Sequence, residues 1–280
     1  MTAKILTLDT ETIPVQNAGI MEEIRRESDA ATPAQNTRRE IKEQWDGEVG
    51  RETRFQERWA KTAVDVLLAA PVCVSWCVDD GPVRSLRIMP WTARKERAAA
   101  QRLSKMWAEA TDTGTLWVAH CALRFDLPLL LNWWRRTAVI PPAHFPGWRM
   151  GRWRGNVWDS MLETPCHNGL NLVSLADACR GLGLPDAKSV LWDGSPMDGS
   201  RVWAAYQAAD YKVLEAYCRA DVAATRQLYR RQTFGGVYPG GRLDQLAAQL
   251  EEIDGSGLSS AQVALAKLRV LETAGLVPRT

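Results

Sequence analysis

The sequence predicts an α/β protein in which a mixed five-stranded β-sheet is flanked by helices. Short apolar segments with β-like character alternate with longer amphipathic segments along most of the chain, which is typical of layered α/β folds. An Asp-Gly pair, Asp80 and Gly81, separates two of the β-like segments and indicates an antiparallel hairpin. The 280 residues are 46% hydrophobic and 24% charged, so the chain can bury a substantial core.

The individual elements follow from these patterns in chain order. Strands are expected at residues 3–8, 71–78, 84–89, 115–119 and 156–158. Helices are expected at residues 93–111, 127–136, 172–182 and 208–231. Pro128 fits the first turn of the second helix, where the missing N–H costs no hydrogen bond. The first strand runs into a polar cluster, residues 9–12, which we interpret as a functional or capping turn.

Two further segments accompany these elements. Residues 15–65 are charged, favour helix and carry few apolar side chains, which predicts one or two amphipathic helices that either cover the domain or clamp a substrate. Beyond two Gly-Gly pairs, residues 242–253 and 259–272 predict a helical hairpin that serves as a cap or binds a partner. We therefore expect a main domain at residues 1–234, with an insertion at about 15–65, and a helical appendage at 235–280.

Charge, cysteine content and hydropathy exclude several classes of protein. The chain has 35 Lys and Arg against 33 Asp and Glu, so any nucleic-acid site must be local. Six Cys without a CxxC pair, and only three His, favour neither a zinc site nor a disulfide framework. The glycine-rich segment 234–242 lacks the Lys-Ser/Thr of a P-loop. No signal peptide or membrane span is evident, so we expect a soluble, cytoplasmic protein.

Four carboxylates and a tyrosine are the candidates for chemistry. Asp9 and Glu11 are two residues apart in a β-like segment and project to the same face, with Thr10 pointing away. Asp126 precedes a predicted helix, where it either acts as a cap or joins a site. Tyr217 and Asp221 lie one turn apart on a predicted helix. Strand ends and helix faces of one α/β sheet bring such residues together.

Four clustered carboxylates favour a particular chemistry. They carry about four negative charges, which two divalent cations neutralise, and hard oxygen ligands favour Mg²⁺ or Mn²⁺. Two such ions about 4 Å apart activate a water and stabilise the attacking and leaving oxygens of a phosphodiester displacement. Tyr217, with an ordinary pKa of about 10, is a poor base at neutral pH and suits holding the attacking water.

Three motifs, LDTETIP, AHCALRFDLPLL and AYCRADVAATRQLY, resemble the exonuclease motifs of the DEDD (DnaQ-like) 3′–5′ exonucleases. The position of Tyr217, four residues before Asp221, is similar to that of the tyrosine in the tyrosine branch of this family. Residues 157–210 resemble stand-alone members related to the proofreading domain of family B DNA polymerases. The resemblance covers residues 4–229. It implies a ribonuclease-H-like fold, metal ligands at Asp9, Glu11, Asp126 and Asp221, and a water-orienting hydroxyl at Tyr217.

Substrate contacts are expected in two places. Within the motifs, the candidate contacts are Thr10, His120, Cys121 and Phe125, of which His120 either contributes to substrate binding or is a structural histidine. Cys121 departs from the family, because many members carry Asn there and a thiol lacks the hydrogen-bonding capacity of an amide. A second region, WRMGRWR with the preceding WWRR, combines indole and guanidinium groups and either binds a single strand or packs on the sheet; its candidate contacts are Arg149, Arg152 and Arg154.

The sequence therefore predicts a two-metal 3′–5′ exonuclease that acts on DNA with a single-stranded 3′ end and releases nucleoside 5′-monophosphates, as the resemblance implies. An exoribonuclease is an alternative within the same enzyme class. A nucleic-acid-binding module that has lost turnover is an alternative of a different class, suggested by Cys121.

Overall fold

The computed structural model describes residues 4–32, 45, 47–146, 156–164, 172–185, 189–233 and 262–263. The chain divides into two compact units, Met1–Leu228 and Tyr229–Thr280. Arg149, Arg152, Arg154 and nearly all of the predicted C-terminal hairpin lie outside the described residues. The division into a main domain at 1–234 and an appendage therefore stays a prediction.

A five-stranded mixed sheet forms the centre of the first unit. Its strands are β1 (Ile5–Ile13), β2 (Ala70–Val78), β3 (Arg84–Arg87), β4 (Leu116–Ala119) and β5 (Val157–Asp159), in the spatial order β3-β2-β1-β4-β5. β2 is antiparallel to β1 and β3, whereas β4 is parallel to β1 and β5 is parallel to β4. This topology confirms the predicted ribonuclease-H-like α/β fold.

Seven α-helices flank the sheet within the described residues. They are α1 (Ala18–Ala30), α2 (Glu48–Lys61), α3 (Ala93–Ala110), α4 (Leu127–Arg136), α5 (Leu175–Gly181), α6 (Val202–Gln207) and α7 (Tyr211–Gln232). Side chains of Asn17, Thr92 and Ser174 accept backbone N–H groups at the starts of α1, α3 and α5. A π-helical turn, Ala122–Asp126, joins β4 to α4. A small hairpin, β6 (Leu191–Trp192) and β7 (Ser195–Pro196), was not predicted.

The first strand is longer than the sequence pattern suggests. Its predicted end at residue 8 is wrong, since β1 continues through the polar cluster to Ile13. Backbone pairing explains the difference: Asp9 lies opposite Ser75 and Glu11 opposite Cys73 on β2. The register shifts only after Glu11. The two carboxylates thus sit on a rigid central strand instead of a turn.

Tryptophans fill the core on one side of the sheet. Trp107, Trp117 and Trp134 are fully buried and pack edge to face, with ring centroids 5.2 Å apart for the first two. Trp133 is also fully buried, and Arg136 forms an ion pair of 2.8 Å with Glu96. Of the two alternatives for the WWRR segment, packing on the sheet is confirmed for Trp133 and Trp134, and Arg136 holds α4 to α3, whereas Arg135 is exposed.

The described part of the insertion at residues 15–65 forms α1 and α2, as predicted. Trp59 of α2 donates its indole N–H to the carbonyl of Val15 at 2.8 Å and packs edge to face on Trp203. The buried Arg54 donates to the carbonyl of Ser28 at 3.0 Å and so ties α2 to α1. The helix pair is anchored just beyond the end of β1 that carries Glu11.

None of the helices in the described ranges is long and apolar enough to cross a membrane.

Candidate active site

The site is built around Asp9 and Glu11 of β1. Residues two apart in a strand share a face, so both carboxylates project on the same side of the sheet. Glu11 is 7% exposed. Ligand atoms of Asp9, Glu11 and Cys218 all lie within 4.8 Å of one another. The strand therefore places the buried carboxylate of Glu11 and the half-buried carboxylate of Asp9 beside α7.

Helix α7 contributes Tyr217 and Asp221 to the same site. The Tyr217 hydroxyl is hydrogen-bonded to the Asp221 carboxylate, and both acidic side chains of β1 act electrostatically on the ring hydroxyl. Between them in sequence, the Cys218 thiol donates to the backbone carbonyl of Asp9 at 3.5 Å. This contact holds α7 against β1. The helix face that carries Tyr217 and Asp221 therefore lies beside Asp9 and Glu11.

Asp126 completes the set from a third element. It ends the π-helical turn, and its side chain makes no capping hydrogen bond at the start of α4. The interpretation of Asp126 as a helix cap is thus wrong. Its side chain is 2% exposed, lies beside Thr10 and is acted on by the charge of Asp9. The structure therefore brings all four predicted carboxylates and the tyrosine together.

Crowding and burial disfavour negative charge in this site. Burial raises the pKa of Asp9 from 3.8 to about 6. Burial and the charges of Asp9 and Asp221 raise the pKa of Glu11 well above its ordinary value. Burial and the charge of Asp9 do the same for the pKa of Asp126. The negative charge of Asp9 is among the causes that raise the pKa of Glu11, so the two carboxylates of β1 repel each other in the absence of a cation.

The residues fit a hard divalent cation. Oδ2 of Asp9 and Oδ1 of Asp126 are buried without a hydrogen-bond partner among the described residues. The charges that raise the pKa of Glu11 are those of Asp9, Asp221, Cys73 and Asp126, so negative groups surround this carboxyl among the described residues. Burial raises the pKa of Cys218 well above its ordinary value and keeps this neighbour a neutral thiol. Oxygen ligands remain, which Mg²⁺ and Mn²⁺ prefer.

The part of the chain that carries most of this site matches a known family. Residues 64–253, more than half of the chain, match the family described as predicted 3′–5′ exonucleases related to the exonuclease domain of PolB. The chain belongs to this family. No curated protein and no solved structure gives a significant match.

The family match and the structure complement each other. The matched segment contains Asp126, Tyr217 and Asp221 but begins after Asp9 and Glu11. The sheet supplies the missing pair, because β1 is hydrogen-bonded between β2 and β4, which both lie within the matched segment. In this member of the PolB-related family, the insertion that contains α1 and α2 separates Asp9 and Glu11 from the other site residues along the sequence, but not in space.

The predicted substrate contacts in the motif AHCALRFDLPLL have different surroundings. One ring nitrogen of His120 is 2.9 Å from the Ser160 hydroxyl and the other is 2.8 Å from the Val173 carbonyl. Burial lowers the pKa of His120, so the ring is neutral and engaged within the protein. Cys121 and Phe125 are both half-buried beside the carboxylates and remain candidate contacts. Cys121 adopts a left-handed conformation with φ of 74°.

Asp159 lies at the edge of this site, although it stands in none of the three sequence motifs. Asp159 is the last residue of β5 and is 3% exposed. Its charge is among the causes that raise the pKa of Asp126. The available signal was its position directly after the strand predicted at 156–158, since the carboxyl ends of parallel strands carry functional residues in α/β sheets.

Proposed function

We propose that the chain is a divalent-metal-dependent 3′–5′ exonuclease that removes nucleoside 5′-monophosphates from the single-stranded 3′ end of DNA. The observation that carries the proposal is the convergence of four carboxylates from β1, the π-helical turn and α7 on one buried site. Membership of a predicted 3′–5′ exonuclease family supports the polarity, and the relation to PolB, a DNA polymerase, supports DNA.

Asp9, Glu11, Asp126 and Asp221 would hold two Mg²⁺ or Mn²⁺ ions. Such ions activate a water for attack on a phosphodiester and stabilise the attacking and leaving oxygens. The protein's own contribution is the concentration of charge: the folded chain keeps these side chains close despite their mutual repulsion, and burial weakens screening by water. The four carboxylates therefore favour cation binding at the place where the phosphodiester of the substrate would also bind.

Tyr217 is assigned the positioning of the attacking water. Burial and the neighbouring Glu11 and Asp221 charges raise the pKa of its hydroxyl, so it stays protonated and is not a general base. A protonated hydroxyl can donate one hydrogen bond and accept another. Since it already contacts the Asp221 carboxylate, it lies where a water bound near that carboxylate can be oriented.

The experiment that tests this proposal uses 5′-labelled DNA and RNA strands of the same sequence, with Mg²⁺ or with EDTA. We expect a ladder that shortens from the 3′ end of DNA with Mg²⁺ and unchanged strands with EDTA. Faster shortening of RNA would replace DNA by RNA as the substrate. Intact strands under every metal condition, together with retained binding, would overturn the enzyme proposal and favour a binding module.

A matched pair of variants assigns the cleavage to this site. Asp9→Asn removes one ligand charge, whereas Asp79→Asn makes the same chemical change at the other end of β1. Asp79 accepts the Ile5 N–H at 2.8 Å, a contact that the Asn oxygen retains. Cleavage that persists in Asp9→Asn would mean that the nuclease activity comes from another site or a contaminant.

A further inference from the structure

The carboxylate of Asp159 binds an unusual number of backbone groups. Its Oδ1 accepts the N–H groups of Cys121 at 3.1 Å, Met161 at 3.1 Å and Leu162 at 3.4 Å. Its Oδ2 accepts the N–H of Leu123 at 2.9 Å. Two of these four donors belong to its own turn and two belong to the segment that leads to Asp126. The side chain therefore links the end of β5 to the start of the π-helical turn.

The turn needs such a link. The first N–H groups of a helical segment have no hydrogen-bond partner inside it, and leaving such a group unpaired when it is buried is unfavourable. The turn begins after Cys121, whose left-handed backbone is uncommon for a residue other than glycine or asparagine. In addition, the N–H of Leu127 reaches back to the carbonyl of Ala122, which is the wide spacing of a π-helix. An anionic acceptor at the start of the turn accepts hydrogen bonds from these unpaired N–H groups and complements the helix dipole.

The link acts on the candidate active site because the turn ends at Asp126. β4 and β5 are parallel with Ala119 opposite Asp159, so the carboxylate stands beside the point where the chain leaves β4. Ser160 adds a backbone hydrogen bond to the Ala119 carbonyl at 3.0 Å. The path from β4 to Asp126 is thus held from β5, while Asp126 itself makes no cap hydrogen bond to α4.

We propose that Asp159 is a positioning residue, which orients Asp126 toward Asp9 and Glu11 by holding the backbone of Cys121 and Leu123. This role rests on the proposed function, because it concerns the metal-binding carboxylates of that site. Groups that orient metal ligands without touching the metal commonly affect metal affinity or activity by about 10–100-fold. Asp159 would do so through the backbone instead of through a ligand side chain.

The test is a comparison of Asp159→Asn with Asp65→Asn in the full chain. The Asn side chain at 159 retains one acceptor but presents an amide N–H₂ to the backbone donors. Asp65 is the control, since its Oδ1 also accepts two backbone N–H groups, from Leu67 at 2.8 Å and Leu68 at 3.3 Å, in a turn after α2. Circular dichroism and thermal unfolding establish that each variant is folded. Mn²⁺ affinity by calorimetry and kcat and KM for a 5′-labelled strand are then measured.

We expect Asp159→Asn to lower Mn²⁺ affinity and kcat by about 10-fold or more, with KM for the strand within about twofold of wild type. Asp65→Asn should leave all three unchanged. Wild-type Mn²⁺ affinity and kcat in folded Asp159→Asn would overturn the proposal, as would equal losses in both variants. Asp159→Glu, which keeps the charge and both acceptors, replaces Asp159→Asn if the latter does not fold. Mn²⁺ binding is measured without turnover. An absence of nuclease activity in the wild type would therefore contradict the proposed function without contradicting the positioning role of Asp159.

Discussion

Asp9 is the residue on which the proposed chemistry depends most. Its charge acts on Glu11, its Oδ2 is buried without a hydrogen-bond partner in the described part of the chain, and its backbone carbonyl accepts the Cys218 thiol of α7. We expect Asp9→Asn to lower the rate of cleavage by at least about 10³-fold, because a two-ion site loses a ligand charge. Asp79→Asn should cleave like wild type. The measurement is the rate of 3′ shortening at saturating Mg²⁺, and near-normal cleavage by Asp9→Asn would refute the ligand assignment.

Tyr217 should matter less than the carboxylates. Tyr217→Phe keeps the ring and the charges but removes the hydroxyl that contacts Asp221. Because positioning is lost while the ions remain, we expect kcat to fall by roughly 10²-fold with little change in Mn²⁺ affinity. Tyr206→Phe is the control, since the Tyr206 hydroxyl accepts the Trp91 N–H at 2.7 Å in the core. Identical kcat for Tyr217→Phe and wild type would make Tyr217 purely structural.

Cys121 occupies a backbone conformation that its side chain does not favour. Its φ of 74° lies in the left-handed region, where Asn is several-fold enriched over most residues. Burial raises the pKa of its thiol to about 12, so it is a neutral and weak hydrogen-bonding group. We expect Cys121→Asn to stabilise the protein by about 1 kcal/mol in urea unfolding, because Asn adopts the left-handed conformation at lower cost. Cys121→Ala keeps the strain and should not stabilise, so equal stability of the two variants would contradict the explanation.

At the level of elements, α7 and β1 could be predicted more fully than the turn between β4 and α4. Helical spacing placed Tyr217 and Asp221 on one face, and strand spacing placed Asp9 and Glu11 on another; both predictions are confirmed. The end of β1 was misplaced because polar residues normally end a strand, whereas pairing with β2 carries this one further. The π-helical turn has no simple periodic signature, since its hydrogen bonds depend on the carboxylate of Asp159 from another strand.

The Arg-rich segment around residues 149–154 lies outside the described residues, and its role remains a prediction from sequence. We expect replacement of Arg149, Arg152 and Arg154 by Ala to raise KM and flatten its salt dependence, because fewer phosphate contacts release fewer counterions. Turnover at saturating strand should change little. The control is the replacement by Ala of three exposed arginines of α3, which removes the same charge from another part of the chain: Arg94, Arg97 and Arg102. Equal salt slopes for both triple variants would mean that the segment does not bind phosphates.

For the whole molecule, the site imposes a cost on folding that depends on pH. The pKa of Asp9 rises from 3.8 to about 6 on folding, so this carboxyl contributes stability below pH 3.8 that is lost as the pH rises through about 6. Such a shift corresponds to about 3 kcal/mol. The raised pKa values of Glu11 and Asp126 extend the loss to higher pH.

We therefore expect the metal-free protein to have a lower thermal midpoint at pH 8 than at pH 5.5. Saturating Mg²⁺ should remove most of this difference, because a cation that binds only the folded state replaces the missing counter-charge. Asp9→Asn should show a smaller decrease with pH. The measurement is thermal unfolding in EDTA and in Mg²⁺ at both pH values. A metal-free midpoint that rises toward pH 8 would contradict the assigned direction of the shifts.

The fold as a whole could be predicted because its signals are local: alternating segments, one hairpin turn and amphipathic helices. The site could be predicted because its residues stand in motifs, although the family match itself begins after the first pair of carboxylates. Which tryptophans are buried could not be predicted, since WWRR and WRMGRWR look alike in sequence. Only the packing of Trp133 and Trp134 against the sheet reveals that the first is core.

Four carboxylates that form one site for two divalent ions must bind those ions with a defined stoichiometry. The decisive measurement is calorimetric titration of the metal-free protein with Mn²⁺, in parallel with Asp9→Asn and Asp79→Asn. We expect two ions per chain for wild type and Asp79→Asn, and a lost or strongly weakened ion for Asp9→Asn. Equal stoichiometry and affinity in all three proteins would contradict this expectation.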